Sequence, residues 1–166
     1  MLKRITLLLV LTIWCAGFVA SQNDTGKAPT SPGDPILGTW RLNRAQSKFS
    51  PVLQALLREA PPKDQTEVYR VVNDRIELTI TRTRDDGSKD SSKVSWPIEG
   101  GIGEPDEICE THMAPGEWLV TYLQNGKQGA TMHKVISKDG KTMRQTIRGF
   151  DAEGKPFEQL QVFDRQ

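Results

Sequence analysis

Apolar and polar residues alternate along several short segments of this 166-residue chain. In RIELTITRTR, residues 75–84, the apolar side chains of Ile76, Leu78 and Ile80 alternate with acidic and threonine side chains. A period of two with many β-branched residues is typical of a strand with one buried face. In EWLVTYL, residues 117–123, both faces carry apolar side chains. That pattern predicts a strand that is covered on both sides.

Turn-forming residues divide the chain from Ile36 onward into segments of about 8 to 12 residues. Asn125-Gly126 and Asp139-Gly140 are typical of two-residue hairpins, because both central residues accept positive φ. The pattern predicts a meander of antiparallel strands. The candidate strands are residues 37–43, 65–72, 75–84, 89–97, 106–113, 117–124, 128–137, 141–149 and 156–164.

One segment has the pattern of a helix instead, SPVLQALLREAPP, residues 50–62. Ser50 is a typical cap, and Pro51 suits the first helical turn because its missing N–H is not needed there. Apolar residues share one side of the predicted helix, and Pro61-Pro62 ends it. The helix lies between the first two candidate strands.

Together these elements predict an all-β protein. Eight to ten strands in up-and-down order normally close into a barrel, because closure removes the exposed edges of the sheet. We therefore expect an up-and-down antiparallel β-barrel of eight to ten strands over residues 36–166, with one short helix between the first two strands.

The N-terminal segment predicts export. Residues 1–21, MLKRITLLLVLTIWCAGFVAS, combine two basic residues, a short apolar run and small residues, as secretory signal peptides do. The run is too short for a membrane span, and no second such run follows, so no transmembrane segment is expected. Trp14 stands where lipoprotein processing needs a small residue, which argues against lipid anchoring through Cys15. Residues 22–35, rich in Pro, Gly, Ser and Thr, predict a flexible leader to a periplasmic or extracellular domain.

Charge and cysteine content narrow the function classes. Lys3 and Arg4 are the only charged residues of the predicted signal peptide, so its removal changes the formal charge from +1 to −1. A nearly neutral chain without a basic run gives no basis for a nucleic-acid partner. Removal of Cys15 leaves Cys109 as the one thiol, so no internal disulfide is expected.

The triplet Gly38-Thr39-Trp40 lies on the first candidate strand of this meander. With the signal peptide, the strand count and the later segments DGKT, DAEGKPF and VFDRQ, it resembles the lipocalins and their calycin relatives, in particular small exported bacterial members. The resemblance implies a barrel in which Trp40 plugs one end. It also implies that a cation from the last strands, Arg165 or Arg148, packs across the ring.

Two features differ from that family pattern. The second lipocalin triplet, Thr-Asp-Tyr, is absent, since Thr121 and Tyr122 have no acid between them. The Arg-x-Tyr pair with which fatty-acid-binding proteins hold a carboxylate is also absent, because Gln161-Val162-Phe163 occupies that region. Both differences weaken a fatty-acid assignment.

Other chemical motifs do not form a site on these strands. Cys109 and His112 are three positions apart, so they lie on opposite faces of a strand and cannot form a nucleophile pair or a metal site. The glycines of EGGIGEP, residues 99–105, lack the Lys-Ser/Thr of a phosphate-binding loop and predict a hairpin loop. We expect no catalytic residue, metal or cofactor.

A cavity inside the barrel would be lined by Trp96, Trp118, Tyr122 and Met132. Trp118 and Tyr122 share one face of their strand, which supports this assignment. Arg148 is the predicted partner of an anionic ligand head. That role requires the face with Arg144, Thr146 and Arg148 to point inward; the opposite face carries Met143, Gln145 and Ile147.

Two functions from different classes fit these predictions. The first is non-enzymatic binding or carriage of a small hydrophobic or amphipathic molecule. The alternative is a structural or interaction protein whose barrel is filled by side chains, because barrels of about eight strands are near the size that side chains can fill. The interior of the barrel distinguishes the two.

Overall fold

A computed structural model describes residues 34–104, 108–124 and 127–166, and in these ranges the chain forms ten strands and one helix. The elements are β1 (Gly38–Leu42), α1 (Pro51–Leu57), β2 (Asp64–Val72), β3 (Arg75–Thr83), β4 (Lys89–Pro97), β5 (Gly101–Ile102), β6 (Ile108–Ala114), β7 (Glu117–Gln124), β8 (Lys127–Ile136), β9 (Thr142–Phe150) and β10 (Pro156–Arg165).

The strands form one antiparallel sheet in the order β4-β3-β2-β1-β10-β9-β8-β7-β6-β5. All neighbours except β1 and β10 are consecutive in the chain, and pairing of those two strands joins the ends of the meander. A single bridge between Ser95 of β4 and Glu104, just after β5, links the outer strands through two backbone hydrogen bonds of 2.7 and 3.2 Å. The nearly closed barrel, with α1 between β1 and β2, confirms the predicted fold class.

Strand β5 lies within the segment that the sequence analysis interpreted as a loop. Its glycines permit close packing there: a Cβ on Gly103 would lie 2.6 Å from a side-chain carbon of Ile108 and 3.1 Å from the Ser95 carbonyl oxygen. The absence of side chains thus lets this segment approach β4 and β6, which a composition-based loop prediction does not reveal.

Helix α1 begins as predicted and ends earlier than its sequence pattern implies. The Ser50 hydroxyl accepts a hydrogen bond from the Leu53 N–H at 3.3 Å, and Pro51 occupies the first turn. Arg58, with φ of 54°, ends the helix before Pro61. Within the described residues no helix has the length and apolar character that crossing a bilayer requires.

One end of the barrel is plugged by Trp40, which is fully buried. The guanidinium carbon of Arg165 lies 4.2 Å from the centre of the Trp40 ring, and the indole N–H donates to the Ile36 carbonyl at 2.8 Å. Gly38 makes room for this arrangement, because its φ is +122° and a Cβ would lie 3.0 Å from Arg165 Nη1.

Arg165 also holds the segment that precedes β1. Its guanidinium donates to the carbonyls of Pro35, Leu37 and Gly140. Asp34 is buried beside this contact and accepts the Ile36 N–H at 2.9 Å. Asp34 and Pro35, predicted as the end of the leader, therefore pack on the barrel. The predicted signal peptide (1–21), with Cys15, and leader residues up to 33 lie outside the described residues.

Candidate ligand-binding cavity

The interior of the barrel has two halves. The closed half, at the Trp40 end, is filled by large buried side chains, Trp40, Tyr69, Ile76, Trp96, Trp118, Met143 and Phe163. The open half, at the α1 end, contains a cavity of about 690 Å³. The same strands build both halves, since inward positions recur every second residue along each of them.

The cavity has apolar walls and a polar floor. The walls include Phe49, Leu53, Ile80, Met132, Ile147 and Phe157. The polar side chains that line it include Gln65, Glu67, Tyr122, Gln145, Gln159 and Gln161. Glu67, Gln145 and Gln161 each lie one inward position from a closed-half residue, so they form the floor of the cavity.

Glu67 is the centre of a hydrogen-bond network on this floor. Its carboxylate accepts hydrogen bonds from Gln65 Nε2, the Tyr69 hydroxyl and Gln145 Nε2, each at 2.8 Å. Glu67 as a whole residue is 2% exposed, so its carboxylate loses its hydrating water on folding. The three donors replace the hydrogen bonds to that water.

Charged side chains near the mouth form a second network. Arg82 donates to Gln65 Oε1 at 3.3 Å, and its Nη1 lies 3.6 Å from Asp90. Arg84 contacts the same Asp90 at 2.9 Å and Glu59 at 3.4 Å. Both arginines are therefore paired with Asp90, and Arg82 also contacts the floor network through Gln65.

Two tyrosines keep their hydroxyl protons at physiological pH. Burial, with the nearby Glu67 carboxylate second, raises the pKa of Tyr69 well above its ordinary value. Burial and then Glu67 also raise the pKa of Tyr122, which lines the cavity. Tyr69 thus donates to Glu67, and Tyr122 presents a neutral phenol to the cavity.

The closed half contains its own buried ion pair. Lys134 Nζ lies 3.1 Å from Glu110 Oε2, and both side chains are almost fully buried. The ammonium also lies 5.1 Å from the Tyr69 ring centre and 5.3 Å from that of Trp96. Paired in this way, Lys134 is directed away from the cavity, which it does not line.

Four residues predicted to line a cavity are placed in different halves. Tyr122 and Met132 line the observed cavity. Trp96 and Trp118 face the interior but pack in the closed half, where they are 1% and 2% exposed, and they do not line the cavity. The alternation of side chains along a strand predicts which residues point inward. It does not predict how far along the barrel the side chains fill the interior.

Arg148 requires a correction. Its side chain lies on the outer surface, where it is 63% exposed and its Nε donates to Glu158 at 2.6 Å. The inward face of β9 carries Met143, Gln145 and Ile147. Arg148 therefore does not line the cavity, and Arg165 rather than Arg148 packs on Trp40.

The polar floor was not predicted, because polar residues on a strand usually face solvent. A usable signal is present in FEQLQVF, residues 157–163, where Phe157, Gln159, Gln161 and Phe163 share one face. Aromatic residues at both ends of that face predict that the glutamines between them also point inward. In QTEVY, residues 65–69, Glu67 similarly shares a face with Tyr69.

Other candidate chemistry stays separate from the cavity. On β6 the inward residues are Glu110 and His112, whereas Cys109 belongs to the opposite face. Among residues 34–104, 108–124 and 127–166, no group of three or more His, Cys, Asp or Glu is arranged to hold a metal ion.

No protein-family model matches the sequence, and no curated protein has significant sequence similarity to it. Fifteen chains of solved structures resemble it, among them the following two. A siderocalin, Ex-FABP, described as functioning through dual ligand specificities, aligns with 80% of this chain and 71% of its own at 10% identity and a TM-score of 0.45. Zebrafish ileal bile acid-binding protein complexed with cholic acid aligns with 80% of this chain and 99% of its own at 10% identity and a TM-score of 0.47.

At this identity neither alignment assigns a role to a residue of this chain. The up-and-down topology, the ring closure by β1 and β10, and the Trp40 plug under Arg165 make the fold lipocalin-like.

Proposed function

We propose that this protein binds a small amphipathic molecule in the open half of its barrel, without catalysis. The observation that carries the proposal is the cavity of about 690 Å³. This volume lies within the range of about 300 to 1,000 Å³ that is typical of small-molecule sites.

The lining of the cavity supports an amphipathic ligand. Apolar side chains form its walls, and a few fixed hydrogen-bonding groups, Glu67, Gln145 and Tyr122 among them, lie at greater depth. Such a combination lets apolar burial supply affinity while polar groups fix orientation. A ligand with an apolar body and one polar end matches this distribution.

Two further observations favour binding over the alternatives. Side chains fill the closed half and leave a cavity in the open half. The alternative hypothesis of a barrel filled by side chains therefore describes the closed half but not the open half. Within the described part of the chain, the cavity is lined by no Ser, Thr, Cys, His or Lys, so it offers no aliphatic hydroxyl, thiol, imidazole or amine as a nucleophile. We place binding outside the cytoplasm, on the support of the signal-peptide pattern in residues 1–21.

The test is a titration with N-phenyl-1-naphthylamine, a neutral apolar probe whose fluorescence increases on transfer from water to an apolar site. We expect saturable binding to the wild-type protein. Met132 and Ile147 are cross-strand partners that both line the cavity, so the double variant Met132→Trp/Ile147→Trp narrows it. We expect this variant to bind the probe at least about tenfold more weakly.

The matched control is the adjacent cross-strand pair on the outer face, Thr131 and Arg148. The variant Thr131→Trp/Arg148→Trp adds the same two indoles outside the cavity, and we expect its affinity to stay within about threefold of wild type. Equal binding by both double variants, each with a cooperative melting transition, would place the probe elsewhere and contradict the proposal.

A further inference from the structure

The floor of the cavity carries a buried acid without a cationic partner. None of the ion pairs among the described residues includes Glu67. The contrast with Glu110 is direct, since that equally buried carboxylate contacts Lys134 at 3.1 Å. Arg82 reaches Glu67 only indirectly, through the Gln65 side chain that both contact. The negative charge of Glu67 is therefore held by neutral donors alone.

Acids outnumber cations among the charged residues that line the cavity. They comprise four acids and two arginines, Glu59, Glu67, Asp90, Asp151, Arg82 and Arg84. Both arginines are paired with rim acids, as described above. A ligand head that reaches the floor thus meets Glu67 without an unpaired cation in the described lining. Because the ligand displaces water from the cavity, the charge of Glu67 is then less screened.

The floor also has acceptors to spare. A carboxylate offers about four lone-pair positions, and Glu67 accepts three hydrogen bonds from the described residues. Gln145 uses its nitrogen on Glu67, which leaves its carbonyl oxygen as a further acceptor beside the carboxylate. A head group that donates hydrogen bonds fits these atoms, whereas a carboxylate brings only acceptors.

We propose that the cavity selects amphiphiles with a protonated amine or similar cationic, hydrogen-bond-donating head, which binds beside Glu67, and that it discriminates against carboxylate heads. This inference rests on the proposed function and specifies its ligand class. The apolar part of the binding energy cancels when ligands with the same alkyl chain are compared, so the head group alone sets the order of affinity.

The experiment is displacement of N-phenyl-1-naphthylamine at neutral pH by dodecylamine, dodecanol and dodecanoate. The two ionic compounds are kept below their micelle concentrations and dodecanol below its solubility limit. For the wild-type protein we expect dodecylamine to bind most tightly, dodecanol next, and dodecanoate at least about tenfold more weakly than dodecylamine. In Glu67→Gln the gap between amine and acid should shrink to about threefold or less, with dodecanol affected least.

The matched control is Glu158→Gln, which removes an acid of the same type from the outer face, where Glu158 pairs with Arg148. We expect it to keep the wild-type order. If Glu67→Gln does not fold, Gln161→Lys supplies a second variant. Gln161 lines the cavity and is the cross-strand partner of Gln145, so a lysine there brings a cation to the floor and should likewise abolish the preference for the amine.

The outcomes separate this inference from the function on which it rests. Equal displacement by the three compounds, or tighter binding of dodecanoate, would overturn the head-group selectivity and leave cavity binding intact. A preference for the amine that persists unchanged in Glu67→Gln would also overturn it, because the selectivity would then arise elsewhere. Failure of the wild-type protein to bind the probe or any of the three compounds would overturn both proposals.

Discussion

The two halves of the barrel are built by the same strands and differ in what their inward positions carry. On β7 the inward residue is Trp118 in the closed half and Tyr122 in the open half. On β9 it is Met143 in the closed half, but Ile147 and then Gly149 toward the mouth. Large side chains thus fill one end of the barrel, whereas the smaller ones toward the mouth leave the other end hollow.

The two halves also treat buried charge differently. In the closed half Glu110 is paired with Lys134, so charge there is balanced inside the packed core. In the open half Glu67 contacts only neutral donors among the described residues. The two ends thus hold a buried carboxylate in different ways, and substitutions at equivalent positions can test what that difference contributes.

The largest effect is expected for Trp40→Ala in the closed half. Removal of a fully buried indole leaves a void under Arg165, and we expect the free energy of unfolding to fall by about 4 kcal/mol, as for other large-to-small core changes. Chemical denaturation measures the loss. A variant with the same denaturant midpoint as wild type would show that the Trp40 plug contributes little.

Next in size is Lys134→Met, which leaves the Glu110 carboxylate buried without its cation. Breaking a buried pair on one side costs about 3 kcal/mol, since the remaining charge has lost both water and partner. The double variant Lys134→Met/Glu110→Gln should recover part of that loss. If the double variant is less stable than the single one by the full cost of Glu110→Gln alone, the two residues are not coupled.

A matched pair of substitutions compares the halves directly. Met143→Ala removes a fully buried side chain from the closed half, and we expect a loss of about 3 kcal/mol. Met132→Ala removes the same atoms from a side chain that already borders the cavity, so we expect about 1 kcal/mol. Equal losses, measured by urea denaturation, would mean that the open half is as closely packed as the closed one.

The smallest effect concerns pH, and it sharpens the description of the closed end. Burial raises the pKa of Asp34 above its ordinary value of 3.8, so the folded protein holds this proton more tightly than the unfolded chain. Stability from this group is present at low pH and falls as the pH rises through the raised pKa. As the pH rises from the ordinary pKa of 3.8 through the raised pKa, we expect wild type to lose stability relative to Asp34→Asn.

Asp86 provides a control of opposite sign. Hydrogen bonds from the Ser88 hydroxyl and N–H lower its pKa, so its contribution is lost as the pH falls. Relative to Asp86→Asn, wild type should therefore gain stability as the pH rises. Unfolding curves of the three proteins across this range measure both trends, and a trend of the same sign for the two variants would contradict the assignment of Asp34 as desolvated.

The fold was predictable because its signals are local. Alternation such as that of Ile76, Leu78 and Ile80 predicts strands, and turn-forming residues such as Asp139-Gly140 mark where one strand of the meander ends and the next begins. The helix start was equally local, since Ser50 and Pro51 act on their own turn.

The site was predictable only in part. The inward positions of Tyr122 and Met132 follow from the alternation of side chains along their strands. On β9 both faces carry polar residues, so the pattern did not decide which face is buried, and Arg148 was assigned to the wrong one. The role of Glu67 depends on donors from Gln65, Tyr69 and Gln145, and Gln145 belongs to a strand far away in the chain. Sequence patterns do not contain such a contact.

Pairing of β1 with β10 has a consequence for how the protein folds. Every other main ladder joins strands that are neighbours in the chain, whereas this one brings Trp40 to Arg165. Closing so long a loop is entropically costly, so we expect the hairpins to form first and the ring to close late. Until then β1 and β10 each expose an unpaired edge, the kind of surface that recruits other chains. Refolding should therefore compete with aggregation at this step, and dilution should favour the closed barrel.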